Sequence, residues 1–185
     1  IPLQSGNDEI LRRMQRRYTS EEFRALITRL AEKIPDCGIG SDVICGFPGE
    51  SDAHFQDTFD CLVELPISYV HPFTYSPRPG SVAEGFADQV PGDTKKRRTR
   101  ALKRLSGEKS QIMRERHVGR TMRVLPELEP GASGEPTPEG RWTAFGWTDN
   151  YLKVKVTAPW PLENRLIDVR LLGTEGDALY GEPAD

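Results

Sequence analysis

The sequence predicts an α/β unit followed by a small all-β barrel. Three observations lead there. Up to about residue 75, β-branched strand-like runs alternate with apolar residues at helical spacing; residues 93–117 read as one cation-rich helix; and beyond Gly119 the pattern is all strand. The 185 residues, 36% of them apolar, suffice for one large domain or two small ones. No run approaches the roughly 18 apolar residues that a membrane helix needs, so no membrane partner is expected.

The elements follow in order. Ile1 to Gln4 reads as the end of a buried strand, so the expectation is a chain that begins in mid-fold, with an N-terminal part of the same polypeptide missing. Gly6-Asn7-Asp8 turns it into a short helix carrying Ile10, Leu11 and Met14. Thr19 and Glu22 then form a capping box, opening a helix whose Phe23, Leu26, Ile27, Leu30 and Ile34 share one face until Pro35 stops it. Ile39–Phe47 is the next strand. Ser51 caps the following helix, with Phe55, Phe59, Leu62 and Val63 as its apolar stripe, and Ser68–Tyr75 is the third strand. The order β-αα-β-α-β, with helix-length crossovers, implies parallel strands.

Ser76 to Gly92 reads as a loop, and the helix of residues 93–117 has a thin stripe of Leu102, Leu105, Ile112 and Met113. Five strand candidates follow: Arg120–Leu125, Trp142–Trp147, Tyr151–Val156, Arg165–Leu171 and a short piece near Leu179. They are expected to form an antiparallel barrel, with a Pro/Gly/Glu-rich loop at Glu127–Gly140. The domain division expected is therefore 1–92, a connecting helix 93–117, and 118–185.

The net charge of -3 hides an uneven distribution: residues 93–117 carry 10 basic and 3 acidic side chains, between two acidic blocks. Seven of the cations lie between Lys95 and Arg104. Three cysteines make no disulfide framework, so a cytoplasmic setting is the default. Cys37, Cys45 and Cys61 match no metal-ligand spacing. On one strand, Cys37 and Cys45 would stand about 26 Å apart. His54 and His117 read as surface helix positions, and His71 as a strand histidine.

Three segments carry a resemblance: Gln4-Ser5-Gly6-Asn7-Asp8, Asp42 to Glu50 (Asp-Val-Ile-Cys-Gly-Phe-Pro-Gly-Glu) and Tyr75 to Ser81 (Tyr-Ser-Pro-Arg-Pro-Gly-Ser). In order and spacing they resemble the radical S-adenosylmethionine (SAM) methylthiotransferases. The resemblance implies the C-terminal half of a partial (βα)6 radical-SAM barrel followed by a small β-barrel of the TRAM type that binds RNA. His71-Pro72-Phe73 and Gly146 to Tyr151 look most like the subgroup that methylthiolates C2 of N6-threonylcarbamoyladenosine in tRNA; the isopentenyl-adenosine and ribosomal-protein subgroups are less similar there.

Implied cofactors are SAM and two [4Fe–4S] clusters in the full-length protein, none ligated by this chain, because the family's cluster cysteines lie upstream. This chain alone is then expected to be inactive. A stand-alone RNA-binding module is the alternative function. All three motifs sit at the carboxyl ends of predicted strands, where parallel α/β folds place their sites. Candidate cofactor contacts are Gln4, Ser5, Asp42, Ile44, Gly46 and Arg78: Gln4 and Ser5 for ribose or methionyl groups, Ile44 and Gly46 for a flat adenine, Arg78 for a carboxylate or phosphate. Ser5 serves equally as a turn cap, Ile44 as barrel core, and Arg16 as either a second anion contact or a solvated helix cation.

For the tRNA anticodon arm, the implied partner, the candidates are Lys96, Arg100, Lys103 and Arg104 as phosphate contacts and Trp147 and Tyr151 as stacking rings. Some of Trp142, Phe145, Trp147 and Tyr151 are expected in the barrel core.

Overall fold

The computed structural model describes residues 1–128 and 134–184. It divides into two compact units, Ile1–Ser110 and Gln111–Asp185.

The first unit is built on three short strands, β1 (Pro2–Gln4), β2 (Gly40–Cys45) and β3 (Tyr69–Thr74), in spatial order β1-β2-β3. Both pairings are parallel, as helix-length crossovers require. The connections contain α1 (Asp8–Arg13), α2 (Ser20–Lys33) and α3 (Asp52–Glu64). The capping box expected at Thr19 and Glu22 is formed in both directions, and Ser51 caps α3. His54 is not a bystander there: its Nδ1 accepts the Ser51 amide at 3.3 Å.

Helix faces differ from the expected stripes at their ends. Phe23 and Ile27 are buried but Ile34, at the end of α2, is exposed; on α3, Thr58, Cys61 and Leu62 are buried and Val63 is exposed. A surface stripe needs only its middle turns against the core. That core joins Leu3, Phe23, Ile27, Val43, Leu62 and Val70 with Leu102 and Leu105 from α4 (Gly92–Glu115). Burial of these last two is what docks the cation-rich helix, since Ile112 is exposed. The segment between β3 and α4 contains one 3-10 turn, Val82–Gly85.

In the second unit, β4 (Thr121–Pro126), β6 (Trp142–Thr148), β7 (Lys153–Ala158), β8 (Ile167–Glu175) and β9 (Ala178–Pro183) run in spatial order β4-β8-β9-β7-β6, and the ring closes through β4–β6. Closure removes the free edges. The barrel is not wholly antiparallel as expected: β7 and β9 pair in parallel, because β8 intervenes in sequence but not in space. The Glu127–Gly140 loop also departs from expectation, since Glu135–Pro136 forms a short strand β5 on β6; residues 129–133 of that loop lie outside the described residues.

Nor do the rings fill this core. Val124, Val154, Val156, Val169, Leu171 and Leu179 do, while Phe145, Trp147 and Tyr151 are exposed and Trp142 is half-buried. Valines and leucines suffice to fill a five-stranded ring, leaving the aromatic rings to the outside. His117 is a further correction, fully buried rather than on the surface. Among the described residues no helix is long and apolar enough to cross a membrane.

Candidate cofactor hollow and nucleic-acid face

Parallel strands leave their carboxyl ends on one side of the sheet, and there the first unit has a hollow of about 620 Å³. Gln4 enters from the end of β1, Asp42 and Ile44 from β2, and Phe73 and Thr74 from β3. Tyr75, Ser76, Arg78, Ser81 and Ala83 line it from the segment beyond, and Arg16 from the turn after α1. The register that pairs Ile44 with Phe73 sets two apolar side chains next to each other. All three motifs thus contribute to one hollow.

Gln4 is held at φ 65°, a conformation costly for a residue with a Cβ, and its side chain is almost fully buried. Tyr75 buries its hydroxyl with no hydrogen-bond partner among the described residues. Neither was a signal the sequence could carry, because φ at Gln4 and the solvation of Tyr75 both depend on neighbouring strands.

Two candidates from the sequence are elsewhere. Ser5 is fully buried behind the sheet end: its Oγ shares a hydrogen bond with Thr58 Oγ1 at 3.2 Å and accepts the Asn7 amide. It is a turn cap. Gly46 is covered by Lys95, whose Cγ would lie 2.3 Å from a Cβ at this position, and its φ of 78° favours glycine independently. Its glycine character answers to the packing of α4 rather than to a flat ligand.

The segment beyond β3 is clasped down. Phe86 packs edge-on against Phe47, which does the same against Tyr75. Arg13 lies 5.2 Å over the Phe86 ring and donates from Nη2 to both carboxylate oxygens of Asp88 at 2.8 Å. Gly49 donates its amide to the Asp88 carbonyl at 2.9 Å. An Arg-carboxylate contact of this kind joined to ring packing gives the wall a defined position.

The cation run is split by its helix. Lys95 sits over the Tyr75 ring at 5.0 Å, Arg97 reaches Asp52, and Arg98 is buried against Glu50. Burial pushes the Glu50 carboxyl upward from the usual range; the Gly46 amide and Arg98 oppose it. Asp52, exposed, is held below the usual range by its hydrogen bond to Arg98. Lys96, Arg100, Lys103 and Arg104 are all exposed; among the described residues Lys96 and Arg104 have ion-pair partners only at 3.8 Å on their own helix, Asp93 and Glu108.

In the second unit a hollow of about 640 Å³ is lined by Arg123, Leu125, Glu127, Trp147, Thr148, Asp149, Tyr151 and Leu166. The Trp147 and Tyr151 ring centres are 6.5 Å apart, and Lys153 lies 4.6 Å over Phe145 on the same barrel. Among the described residues there is no group of three or more His, Cys, Asp or Glu that could hold a metal ion.

Known proteins match along most of the chain. Residues 1–62 match the model of the radical SAM superfamily. The threonylcarbamoyladenosine tRNA methylthiotransferase of Bacillus subtilis is 33% identical over 172 residues, 93% of this chain and 37% of the relative. Its counterpart in Aquifex aeolicus is 42% identical over 125 residues, 68% of this chain and 30% of that protein. The tRNA-2-methylthio-N(6)-dimethylallyladenosine synthase of Staphylococcus aureus is 33% identical over 171 residues, covering 92% and 32%. The chain spans about a third of the length of these curated relatives. With a superfamily match at its start, methylthiotransferase relatives along more than nine-tenths of its length, and a parallel α/β unit followed by a closed β-barrel, the chain belongs to the radical SAM methylthiotransferase family.

Proposed function

We propose that this chain supplies part of a SAM site and an RNA-binding face to a tRNA methylthiotransferase acting in the cytoplasm on C2 of N6-threonylcarbamoyladenosine beside the anticodon. The observation that carries this reading is the convergence of Gln4, Asp42, Ile44 and Arg78 on one hollow at the strand ends. Its volume falls within the range of small-ligand pockets, about 300–1,000 Å³. Its lining suits SAM. Arg78 and Arg16 offer guanidinium groups to the methionyl carboxylate, Asp42 and Gln4 accept from or donate to ribose hydroxyls, and Ile44 with Phe73 gives the adenine an apolar surface. The orphaned Tyr75 hydroxyl is a further polar group a ligand there can satisfy.

Bound SAM would supply the radical where it is reductively cleaved at a [4Fe–4S] cluster, and a second, intact SAM molecule would supply the methyl group. The part of this chain is to bind and orient: it holds no cluster in this reading, the two clusters being ligated by other parts of the complete protein, and it turns nothing over alone. Exposed Lys96, Arg100, Lys103 and Arg104 meet phosphates of the anticodon arm, while Trp147 and Tyr151 meet bases.

Dimethylallyladenosine is the second substrate reading, favoured by a Staphylococcus aureus relative as identical as the Bacillus subtilis one. The test is to incubate the reconstituted full-length protein with tRNA lacking methylthio groups and to analyse nucleosides by mass spectrometry. The expected gain is a methylthio group on threonylcarbamoyladenosine, abolished or strongly reduced in Asp42→Ala and Arg78→Ala. A gain confined to dimethylallyladenosine selects the second substrate, and no gain on either overturns the reading.

A further inference from the structure

The exposed ring pair on the barrel is held by a polar chain that begins at a buried histidine. His117 Nδ1 lies 2.7 Å from the Met113 carbonyl, which can only accept, so Nδ1 carries the proton and a neutral ring leaves Nε2 to accept. Asn150 Nδ2 stands 3.2 Å from that Nε2 and is its donor. The other end of the Asn150 amide accepts from Thr148 Oγ1 at 2.5 Å, and Thr148 Oγ1 takes the Leu152 amide at 2.9 Å.

This chain closes the turn of residues 148–152, whose backbone bonds are Thr148 N to Leu152 O and Tyr151 N to Thr148 O. Within it Tyr151 is held at φ 63°, in the left-handed region that a residue with a Cβ disfavours. That conformation persists because the turn around it is over-determined, and it presents the tyrosine ring to solvent beside Trp147. Trp147 is fixed separately, its Nε1 donating to Glu127 Oε2 at 2.9 Å.

The two ring centres lie 6.5 Å apart at an interplanar angle of 54°. An inserted flat ring needs about 3.5 Å on each side, about 7 Å in all, so the tilted pair is open on one side only and admits a ring between its faces when a side-chain rotation widens it by about 0.5 Å. Leu125 and Leu166 add exposed apolar surface, and the rim carries two carboxylates, Glu127 and Asp149, against one cation, Arg123. That balance repels phosphate and accepts hydrogen bonds. A flat apolar slot with acceptors at its edge fits a nucleobase that carries an amino group.

We propose that Trp147 and Tyr151 clamp one unpaired, amino-bearing nucleobase of the RNA, adenine or cytosine in preference to uracil, and that His117, acting through Asn150, is the positioning residue that sets the clamp. The proposal rests on the reading of this protein as one that acts on RNA.

The test measures binding of the full-length protein to single-stranded octamers of adenylate, cytidylate and uridylate at several salt concentrations. The adenylate and cytidylate octamers should bind more tightly than uridylate. Trp147→Ala and Tyr151→Ala should each weaken adenylate binding about 5- to 150-fold without changing the salt dependence, and Trp147→Phe should restore most of it. Asn150→Ala and His117→Gln, assayed well below their melting temperatures, should erode the preference for adenylate over uridylate, a ratio that loss of stability alone would not move. Equal binding of all three octamers overturns the amino-group selection. Unchanged adenylate binding in both ring variants overturns the clamp while leaving an RNA-acting protein intact. Absence of binding to every octamer and to whole tRNA overturns the RNA reading itself. An unchanged preference in Asn150→Ala removes His117 from the account.

Discussion

Arg98 donates from Nη1 to Glu50 Oε2 at 2.6 Å with both side chains almost fully buried, and the same carboxylate oxygen takes the Gly46 amide at 2.7 Å. One carboxylate therefore anchors the cation-rich helix and holds the Gly-Phe-Pro-Gly turn that follows β2. Arg98 completes the arrangement with bonds to the Glu50 carbonyl and to Asp52.

Removing one member of this pair leaves the other charge buried. Arg98→Met should destabilise the first unit by about 3–5 kcal/mol. Glu50→Gln keeps an acceptor for Gly46 and leaves Arg98 its Asp52 contact, so its cost should be smaller, about 1.5–3 kcal/mol. Urea unfolding of both single variants and the double variant should give a combined cost below the sum. An Arg98→Met midpoint indistinguishable from the parent would mean the pair contributes little.

The exposed cations should behave in the opposite way. Replacing Lys96, Arg100, Lys103 and Arg104 together with glutamine should leave stability nearly unchanged, since such surface charges contribute well under 1 kcal/mol each. Against tRNA, the slope of log affinity versus log salt should flatten by about three units. A slope equal to that of the parent would show these four to be a solvated helix face.

Cys45 is buried and its thiol is pushed up to about 11, chiefly by desolvation; burial raises Cys61 as well. At pH 8 an alkylating reagent should label half-buried Cys37 first and reach the other two only on unfolding. The sign of the pH effect follows from proton counting. Between the ordinary value of 9 and about 11 the unfolded thiol has lost its proton and the folded one has not, so stability falls as pH rises through that window, by up to about 2–3 kcal/mol. Cys45→Ala should lack this share of the alkaline loss, as chemical denaturation at pH 8 and pH 11 can measure.

Gly49 has φ 85°, and a Cβ there would stand 2.6 Å from Arg13 Cζ and 2.7 Å from Asp88 Oδ2. Gly49→Ala should cost about 1–2 kcal/mol for the backbone alone. It should also push apart the Arg13–Asp88 contact and weaken SAM binding by the full-length protein, as should Arg13→Gln. Wild-type SAM affinity in both variants would show that this clasp does not shape the hollow.

Much of this was legible in the chain because its signals are local. A capping box at Thr19 and Glu22 needs only four residues, and period-two runs after Gly119 need only their neighbours. Parallel pairing of β2 with β3 follows from the length of the helix between them. The motifs around Gln4, Asp42 and Tyr75 could be assigned to strand ends for the same reason, and strand ends of one parallel sheet must lie together.

Where several elements meet, local signals lose their force. Ser5 and Gly46 belong to the same motifs as Gln4 and Ile44, yet Thr58 captures one and Lys95 covers the other, contacts between residues about 50 positions apart in sequence. His117 looks like any polar residue at a helix end until the barrel closes over it and Asn150 reaches its ring. The cation run between Lys95 and Arg104 has a charge that composition determines, but only docking of Leu102 and Leu105 decides that Arg98 turns inward to Glu50 while Lys96, Arg100, Lys103 and Arg104 face water. The sequence by itself determined the elements, their order and the chemistry available at the strand ends; tertiary structure decided which of those side chains share a hollow, because burial and pairing depend on partners that the chain brings near only when folded.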